Sequence, residues 1–426
     1  MCAIILFMPN LVTLLLQVAA IVVTARLVGL LFRLIGQPQV VGEMVAGILL
    51  GPSFLGWVAP KLSGALFPAA SLGYLSTLSQ VGLLLFMFLV GLEFDPGLIR
   101  GRGRAVVLIS NVSIAVPFAL GSGLALYLYP RLADPHVGFT AFTLFLGAAM
   151  SITAFPVLAR ILAERWLTRT DLGAMAIACA AIDDVTAWCI LAYIVAFVRS
   201  TEPSHLWLTF AGVTVFALAM IFVVRRLLLR FQAAFAVRHK LTEDMMALLM
   251  LLLLLSAAAT EWLGVHLLFG AFLFGAVLPR DHDFVRAVAE KLESVTVVLL
   301  LPIFFAFVGL RTSLQLMSGR EMWWYCLLVI VVAVAGKLAG SAIAARVAGI
   351  PWRNALAIGV LLNTRGLMQL VILNLGFELG VINQALFSMM VVMAIVTTLL
   401  TTPLMEWINP VREQRVESAA APSKLG

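Results

Sequence analysis

The sequence predicts an all-α protein that crosses a lipid bilayer many times, and two observations carry this prediction. Of the 426 residues, 63% are hydrophobic and only 12% are charged, whereas soluble proteins carry about 25% charged residues. Apolar runs of roughly the 20 residues that a spanning helix needs recur along the whole chain. Because lipid offers the backbone no hydrogen-bond partners, such runs are expected to form helices.

We predict thirteen spans from these runs, the ninth of which is short and joins the eighth around residues 261–264. They cover approximately residues 10–32, 40–57, 70–92, 105–130, 139–163, 172–199, 207–230, 243–264, 266–279, 294–310, 323–348, 352–378 and 383–408. No loop between them is long enough to hold a soluble domain. Residues 1–410 are therefore predicted to form a single membrane domain, and residues 411–426 a short cytosolic tail.

Lysine and arginine residues are divided unevenly between the two sets of loops. With the N-terminus outside, nineteen of them fall on the predicted cytoplasmic side and five on the predicted outer side. Because cytoplasmic loops of membrane proteins are enriched in basic residues, we expect an external N-terminus and a cytoplasmic C-terminus in the plasma membrane. The cytoplasmic face also explains the net charge of +7, which therefore does not indicate nucleic-acid binding.

An internal repeat relates the two halves of the chain. Residues 46–52 of the second span resemble 274–279 of the ninth, and residues 86–92 of the third span resemble 304–310 of the tenth. Seven spans separate the members of each pair, so the two copies enter the membrane from opposite sides. Many secondary transporters are built from inverted repeats of this kind, with the binding site near the bilayer midplane.

The same shift pairs the fifth span with the twelfth, and both contain residues that interrupt a helix. Pro156 lies inside the fifth span, where its missing N–H removes a backbone hydrogen bond. In the twelfth span Asn363, Thr364 and Arg365 are followed by Gly366. Irregular backbone at membrane depth is tolerated where it lines a cavity or is buried in protein, so we predict that both breaks border a binding site.

Two adjacent carboxylates, Asp183 and Asp184, lie in the middle of the sixth span. A charged side chain at the centre of a membrane helix costs about 2.5–3.5 kcal/mol or more, which favours a functional role. Lys337 lies in the middle of the eleventh span between small residues, and a buried lysine needs a partner to stay charged. Successive helical residues point about 100° apart, so one aspartate can bind Lys337 while the other faces a water-filled cavity.

A carboxylate in this position can bind a proton or a small cation, but not both at once. Hard oxygen ligands suit alkali cations. Ser151 and Thr153, beside the fifth-span break, offer further oxygen ligands or ordinary helix–helix hydrogen bonds. Arg365 is expected to compensate partial charges at the broken twelfth span or to pair with a carboxylate such as Glu43. The four cysteines and five histidines are dispersed, so no resident metal or other cofactor is predicted.

Other functions fit this pattern less well. An intramembrane aspartyl protease needs two carboxylates that converge on one proton, whereas these two diverge around one helix, so no enzyme activity is expected. A channel could be lined by the same residues, and an organic-anion symporter could share the fold. The inverted repeat and Lys337 favour alternating access, and saturable, proton-coupled flux would separate a transporter from a channel.

Together these features resemble the monovalent cation:proton antiporter superfamily, and within it the branch of bacterial Na⁺/H⁺ antiporters, potassium-efflux systems and plant cation/proton exchangers. The resemblance implies exchange of a monovalent cation for protons. It follows the family's order along nearly the whole chain, in residues 37–52, 151–162, 180–188, 336–340 and 363–367.

The resemblance assigns roles residue by residue. Asp184 corresponds to the carboxylate that carries the cation and the proton, and Asp183 to the partner of the buried lysine, here Lys337. Family members with two aspartates and this lysine typically move more than one proton per cation, so electrogenic exchange is expected. Residues 363–367 look closer to the plant exchangers, whose presumed ion is K⁺, and the choice between Na⁺ and K⁺ stays open.

The resemblance also implies an architecture. In the family a core domain with two crossing broken helices moves against a dimerisation domain, and the proteins are usually homodimers. On this pattern the core part covers about 105–199 and 323–408, the dimerisation part about 10–92 and 243–310, and a connecting helix about 207–230. Potassium-efflux and plant members usually carry a large cytosolic regulatory region, whereas only residues 411–426 follow the predicted membrane domain here. We therefore expect no nucleotide or glutathione gating within this chain.

Overall fold

The computed structural model describes residues 10–93, 103–165, 167, 170–199, 203–238, 241–279 and 281–408. Within these ranges the regular structure is helical throughout, as the composition predicts. The predicted tail, residues 411–426, lies outside the described residues.

The α-helices are numbered in chain order. They are α1 Asn10–Leu34, α2 Gln39–Leu50, α3 Leu55–Val58, α4 Pro60–Leu66, α5 Leu72–Glu93, α6 Gly103–Leu132, α7 Phe139–Ser151, α8 Phe155–Glu164, α9 Asp171–Arg199, α10 Pro203–Ala219, α11 Arg225–Arg238, α12 Glu243–Trp262, α13 Leu267–Val277, α14 His282–Val295, α15 Leu301–Arg311, α16 Arg320–Val347, α17 Trp352–Leu362, α18 Leu367–Glu378 and α19 Gln384–Ile408. Short π-helical turns at Met220–Val224 and Thr296–Leu300 continue α10 into α11 and α14 into α15.

The predicted spans are present as helices, but their number depends on how short and bent helices are counted. In the described ranges eleven helical stretches are long and apolar enough to cross a bilayer, and α17 with α18, bent by 42°, makes a twelfth. The ninth predicted span is α13, whose 11 residues extend about 16 Å at the helical rise, short of the roughly 30 Å hydrocarbon core. The predicted number of thirteen is therefore approximate.

The chain forms two compact units. The first contains Met1–Val22, Gly64–Asp95 and Ala192–Phe307, and the second contains Val23–Ser63, Pro96–Leu191 and Val308–Gly426. The buried carboxylates, Lys337 and both broken spans belong to the second unit.

In the first unit α5 and α13 cross at two glycines. A Cβ atom at Gly91 would overlap the carbonyl of Phe272, and one at Gly275 would overlap the carbonyl of Phe88. The rings of Phe88 and Phe274 stack 5.7 Å apart. Small residues let two helix backbones approach this closely in a membrane.

The second unit contains an equivalent crossing between α2 and α15. A Cβ atom at Gly309 would overlap the backbone of Gly47. In the sequence repeat Gly47 aligns with Gly275, and Gly309 aligns with Gly91. Each copy of the repeat therefore supplies one helix to each crossing, as expected when two inverted copies interlock.

The two broken spans also cross within the second unit. The break between α7 and α8 covers residues 152–154, and the break between α17 and α18 covers 363–366. The backbone N–H of Ala154 donates to the carbonyl oxygen of Thr364 over 3.0 Å, so the breaks touch directly. Pro156 lies in the first turn of α8, where its missing N–H is tolerated.

Helix α16 packs closely against α6 through the small residues that flank Lys337. A Cβ atom at Gly336 would lie 3.2 Å from Cα of Pro117, and one at Gly340 would lie 3.0 Å from Cβ of Val116. These residues let α16 bring Lys337 against the middle of α6, next to the carboxylates of α9.

Candidate functional site

The two adjacent carboxylates of α9 point in different directions, as the helical geometry requires. Both are buried, with Asp183 1% exposed and Asp184 2% exposed. Their surroundings differ: hydrogen-bond donors surround the Asp183 carboxylate, whereas the Asp184 carboxylate meets almost none among the described residues.

Asp183 accepts hydrogen bonds from four side chains on three other elements. Oδ1 accepts from the hydroxyl of Ser110 at 2.6 Å, and Oδ2 accepts from the hydroxyl of Ser113 at 2.8 Å, both on α6. Oδ2 also lies 2.8 Å from the Thr153 hydroxyl at the α7/α8 break and 3.0 Å from Nζ of Lys337. Since charge-assisted hydrogen bonds are the strong ones, the contact with Lys337 and the three hydroxyl groups fix the position of this carboxylate.

Lys337 is fully buried, and each of its three N–H groups has an acceptor. Nζ donates to Oδ2 of Asp183 at 3.0 Å, to the carbonyl oxygen of Ser113 at 2.9 Å and to that of Ser151 at 2.6 Å. A buried ion pair offsets its desolvation only when the remaining protons are satisfied. Asp183 and Lys337 therefore form a neutral, satisfied pair.

The C-terminal end of α7 would normally leave four carbonyl groups without partners, but here each one has a donor. The carbonyl of Ala148 accepts from the Ser151 hydroxyl at 2.8 Å, and the carbonyl of Ser151 accepts from Lys337. Nη1 of Arg365 donates to Ala149 at 2.9 Å, and Nη2 donates to Met150. Two buried cationic groups thus sit at the negative end of this half-helix, where cations are favoured.

The positive charge of Arg365 therefore lies against the carbonyl groups at the end of α7, which belongs to the fifth span. The sequence predicts that Arg365 compensates the twelfth span or pairs with a carboxylate such as Glu43. Its guanidinium binds carbonyls of the fifth span and, within the twelfth span, Oε1 of Gln369 at 3.1 Å. Its backbone is held by Thr398 of α19, whose hydroxyl accepts from the Arg365 N–H at 3.1 Å and lies 2.6 Å from the Arg365 carbonyl.

Asp184 lacks such partners. Neither of its carboxylate oxygens has a hydrogen-bond partner among the residues that the structure describes. The backbone N–H of Phe155, at the start of α8, interacts with it electrostatically, and a helix N-terminus attracts negative charge. The sequence predicts that this carboxylate faces a water-filled cavity, whereas in this conformation its side chain is buried, only 2% exposed.

The other predicted residues lie at the crossing of the breaks. The Thr153 hydroxyl lies 2.8 Å from Oδ2 of Asp183 and 3.0 Å from the carbonyl oxygen of Leu362, and its one proton can be donated to either acceptor. The Ser151 hydroxyl is turned back onto its own helix, so Ser151 contributes its carbonyl rather than its side chain. Oδ1 of Asn363 is buried without a partner in the described ranges, and Thr364 lies 3.4 Å from Thr401, hydroxyl to hydroxyl.

Sequence reasoning missed three hydroxyl side chains of this network: Ser110, Ser113 and Thr398. Ser110 and Ser113 are three residues apart in an apolar span, a spacing that puts both on one helix face. That spacing was a usable signal. Thr398 belongs to a run of threonines in α19, but nothing in that run indicates that it faces the Arg365 backbone.

This arrangement can bind one unit of positive charge. Asp183 is neutralised by Lys337, and the charge of Arg365 is compensated by helix carbonyls. Asp184 is a buried carboxylate with unpaired oxygens, and burying such a group is costly unless its charge is balanced. A proton or a small cation can supply that balance at the same oxygens.

Comparison with known proteins assigns the chain to a family. The family model described as "Sodium/hydrogen exchanger, transmembrane" matches residues 21–407. The Na⁺/H⁺ antiporter NhaS4 of Synechocystis is 42% identical over 402 residues, which cover 93% of this chain and 98% of that protein.

Longer relatives match as well. Cation/H⁺ antiporter 17 of Arabidopsis thaliana is 39% identical over 92% of this chain and 48% of its own length. K⁺/H⁺ antiporter 1 of Saccharomyces cerevisiae is 33% identical over 92% of this chain and 46% of its own length. The chain thus spans about half the length of these plant and yeast relatives.

A solved structure shares the fold. The sodium proton antiporter MjNhaP1 from Methanocaldococcus jannaschii superposes with a TM-score of 0.66 at 14% sequence identity, covering 97% of this chain and 99% of that one. At this identity the likeness concerns the fold alone, whereas the family match and the cyanobacterial relative cover nearly the whole chain. The chain belongs to the sodium/hydrogen exchanger family.

Proposed function

We propose that this protein exchanges a monovalent cation, Na⁺ or K⁺, for protons by alternating access, and that Asp184 binds the proton and the cation in turn. The observation that carries the proposal is the contrast between Asp183, which has four side-chain donors including Lys337, and Asp184, whose two buried oxygens have no partner in the described ranges. One carboxylate is structural, and the other is available for transport.

The chemistry of the site favours an alkali cation over a softer metal. The groups around the breaks are carboxylate, hydroxyl, amide and carbonyl oxygens, which suit hard cations. The names of the relatives support the same substrates, since they include a Na⁺/H⁺ antiporter, cation/H⁺ antiporters and a K⁺/H⁺ antiporter. These names divide between the two ions, so both stay within the proposal.

We further propose that the exchange is electrogenic. One proton taken up by Asp184 for each cation released would move no net charge. A second proton needs a second group that can give it up, and Lys337 is the buried cationic side chain in contact with Asp183. In this scheme Lys337 loses its proton when the cation occupies Asp184, and it regains the proton after release.

The movement that exposes the site to each side involves the predicted core part, about 105–199 and 323–408. We propose that this part moves against residues of about 10–92 and 243–310, which form the contact of a homodimer. We propose that the protein lies in the plasma membrane with its N-terminus outside and its C-terminus in the cytoplasm, because this orientation puts most of the basic loop residues on the cytoplasmic side. The described residues include the helices on which this scheme depends.

A K⁺-selective exchanger, or an efflux system that works like a channel, is the second candidate. It is favoured by residues 363–367, which look closer to the plant exchangers, and by the yeast relative named as a K⁺/H⁺ antiporter. A channel would pass K⁺ without moving protons, and its flux would not saturate at low concentration. An exchanger would couple the two ions.

Proton flux in proteoliposomes tests the proposal. Purified protein is reconstituted with an internal pH dye, and Na⁺, K⁺ and Li⁺ are added in turn while the membrane potential is clamped. A cation-dependent change of internal pH that responds to the potential is the expected result and identifies the ion. A cation flux without any pH change would favour the channel, and no response to any of the three cations would overturn the exchange.

A further inference from the structure

A charged pair joins the C-terminal end of α8 to the last turns of α19. Arg165 follows directly on α8 and is 6% exposed. Its Nη2 donates to the carbonyl oxygen of Thr402 at 2.9 Å and to Oε1 of Glu406 at 3.2 Å. The Glu406 side chain is 59% exposed, so the pair has one buried partner and one partner in contact with solvent.

A cavity of about 200 Å³ lies against this pair, bordered also by Arg33, Gln37 and Ile161. A water molecule occupies about 30 Å³ in the liquid, so the cavity can hold several. Ile161 is six residues from Phe155 on α8, a distance of about 9 Å along the helix. The cavity therefore ends less than two helical turns along α8 from Phe155, the residue whose backbone N–H interacts with Asp184.

The charges around the cavity oppose the entry of a cation while the pair is formed. Among the described residues that border it, Arg33 and Arg165 contribute two positive charges and Glu406 contributes one negative charge, which the salt bridge to Arg165 already engages. If the end of α8 separates from α19, the Glu406 carboxylate becomes available to an incoming cation. The same movement opens the flank of α8 between the cavity and Asp184.

A second arginine–glutamate pair marks the other end of α19. Nη1 of Arg311 donates to Oε1 of Glu378 at 3.0 Å, at the end of α18. The Arg311 carbonyl accepts from Gln384, the first residue of α19, at 3.1 Å. Gln384 and Glu406 are 22 residues apart in one helix, about 33 Å at the helical rise, which matches the thickness of a bilayer core. The two pairs therefore lie near opposite membrane faces.

We propose that the Arg165–Glu406 pair is a gate on the cytoplasmic path to Asp184. The path is closed when the pair is formed, and it opens when α8 parts from α19. This inference rests on the proposed function in one respect, because the path matters for transport only if Asp184 binds the transported ions. The gate itself can be tested without transport.

The test measures how fast a cysteine in the path reacts from the cytoplasmic side. Ile161→Cys is introduced into a background in which the native cysteines are replaced by alanine, and inverted membrane vesicles are treated with a membrane-impermeant cationic methanethiosulfonate. Arg165→Gln and Glu406→Gln should each raise the labelling rate about two- to fivefold, the factor that corresponds to losing a partly exposed ion pair. The charge-swapped double variant, Arg165→Glu with Glu406→Arg, should bring the rate back toward that of Ile161→Cys alone.

Arg311→Gln supplies the matched control, because it breaks the equivalent pair at the other membrane face and should leave cytoplasmic labelling unchanged. A parallel variant that keeps only Cys326, which is 1% exposed, reports unfolding: Arg165→Gln should not speed its labelling.

Equal labelling rates with and without the Arg165–Glu406 pair would overturn the gate, and so would an equal increase on Arg311→Gln. Because labelling needs no ion gradient, a changed labelling rate without any transport would retain the gate and refute the proposed function instead.

Discussion

Asp183 and Asp184 are neighbours in the chain, yet the protein treats them as two different groups. Asp183 is surrounded by donors from α6, α16 and the α7/α8 break, and these contacts hold its side chain in place. Asp184 is one residue further along α9, and its carboxylate oxygens have no hydrogen-bond partner among the described residues. The backbone N–H of Phe155 at the start of α8 interacts with it. The roles proposed for the two residues therefore depend on which carboxylate already has hydrogen-bond donors and a countercharge.

Asp184→Asn is expected to reduce exchange to background while leaving the fold intact. The amide keeps the size of the side chain but cannot carry a proton or balance a cation. Because Asp184 has no hydrogen-bond partner to lose in the described ranges, the midpoint of thermal unfolding in detergent should not fall. The matched control is Asp171→Asn at the start of the same helix, which should retain exchange. Normal exchange by Asp184→Asn would contradict the assigned role.

Asp183→Asn is expected to behave in the opposite way and to destabilise the protein. It leaves Lys337 buried without a countercharge, and removing one partner of a buried ion pair costs about 3–5 kcal/mol. The double variant Asp183→Asn with Lys337→Met should recover part of this loss, because no buried charge is left without a countercharge. The carbonyl of Ser151 still loses its donor in that variant, so the recovery is expected to be incomplete. Thermal unfolding of the two single variants and the double variant measures the coupling, and additive effects would count against a functional pair.

At the scale of elements, the α7 half-helix shows how this protein tolerates a broken span. A helix that ends inside the membrane leaves carbonyl groups without water to bind them. Here Ser151, Lys337 and Arg365 bind the last four carbonyls between them. The two cations therefore have a structural task at the α7 terminus in addition to balancing the carboxylates.

Arg365→Gln tests that task. The substitution leaves the carbonyls of Ala149 and Met150 short of partners, at about 1–3 kcal/mol for each buried group, and should lower the unfolding midpoint clearly. Arg346→Gln is the control, because Arg346 is exposed near the end of α16, where it donates a long hydrogen bond of 3.4 Å to Ile350 and lies 5.9 Å from the Trp352 ring centre. If both variants unfolded at the same temperature, the hydrogen bonds from Arg365 to the α7 carbonyls would not contribute to stability.

The sequence predicts elements better than it predicts partners, and the reasons are physical. Pro156 and the polar run at Asn363 mark both breaks, because irregular backbone needs such residues. The span at α13 was predicted from apolar composition alone, which carries no information on where a helix bends or stops. Helical geometry requires that Asp183 and Asp184 point in different directions on α9. The packing of α6 against α9 decides that Ser110 and Ser113 face Asp183.

At the scale of the whole molecule, the internal repeat organises the packing. Gly47 with Gly309 and Gly91 with Gly275 form two crossings at equivalent positions of the two copies. The broken spans that cross at Ala154 and Thr364 are also related by the repeat. An exchanger needs two conformations of nearly equal stability, open to opposite sides, and two inverted copies with the same contacts provide them.

The repeat predicts that Gly275→Ala and Gly309→Ala will have similar consequences although the residues lie in different units. Each added methyl group would overlap backbone atoms of the facing helix, and overpacking of this kind costs about 1–3 kcal/mol or more. Gly123→Ala in α6 is the control: a Cβ atom there meets nothing within 4 Å, and replacing a helical glycine with alanine should stabilise the protein by up to about 1 kcal/mol. Thermal unfolding in one detergent compares the three variants. Similar losses at the two crossings, with none at Gly123, are expected if both crossings support the fold. A loss at one crossing alone would mean that the two crossings do not contribute equally to the free energy of unfolding, and that only one of the two units depends on its glycine contact.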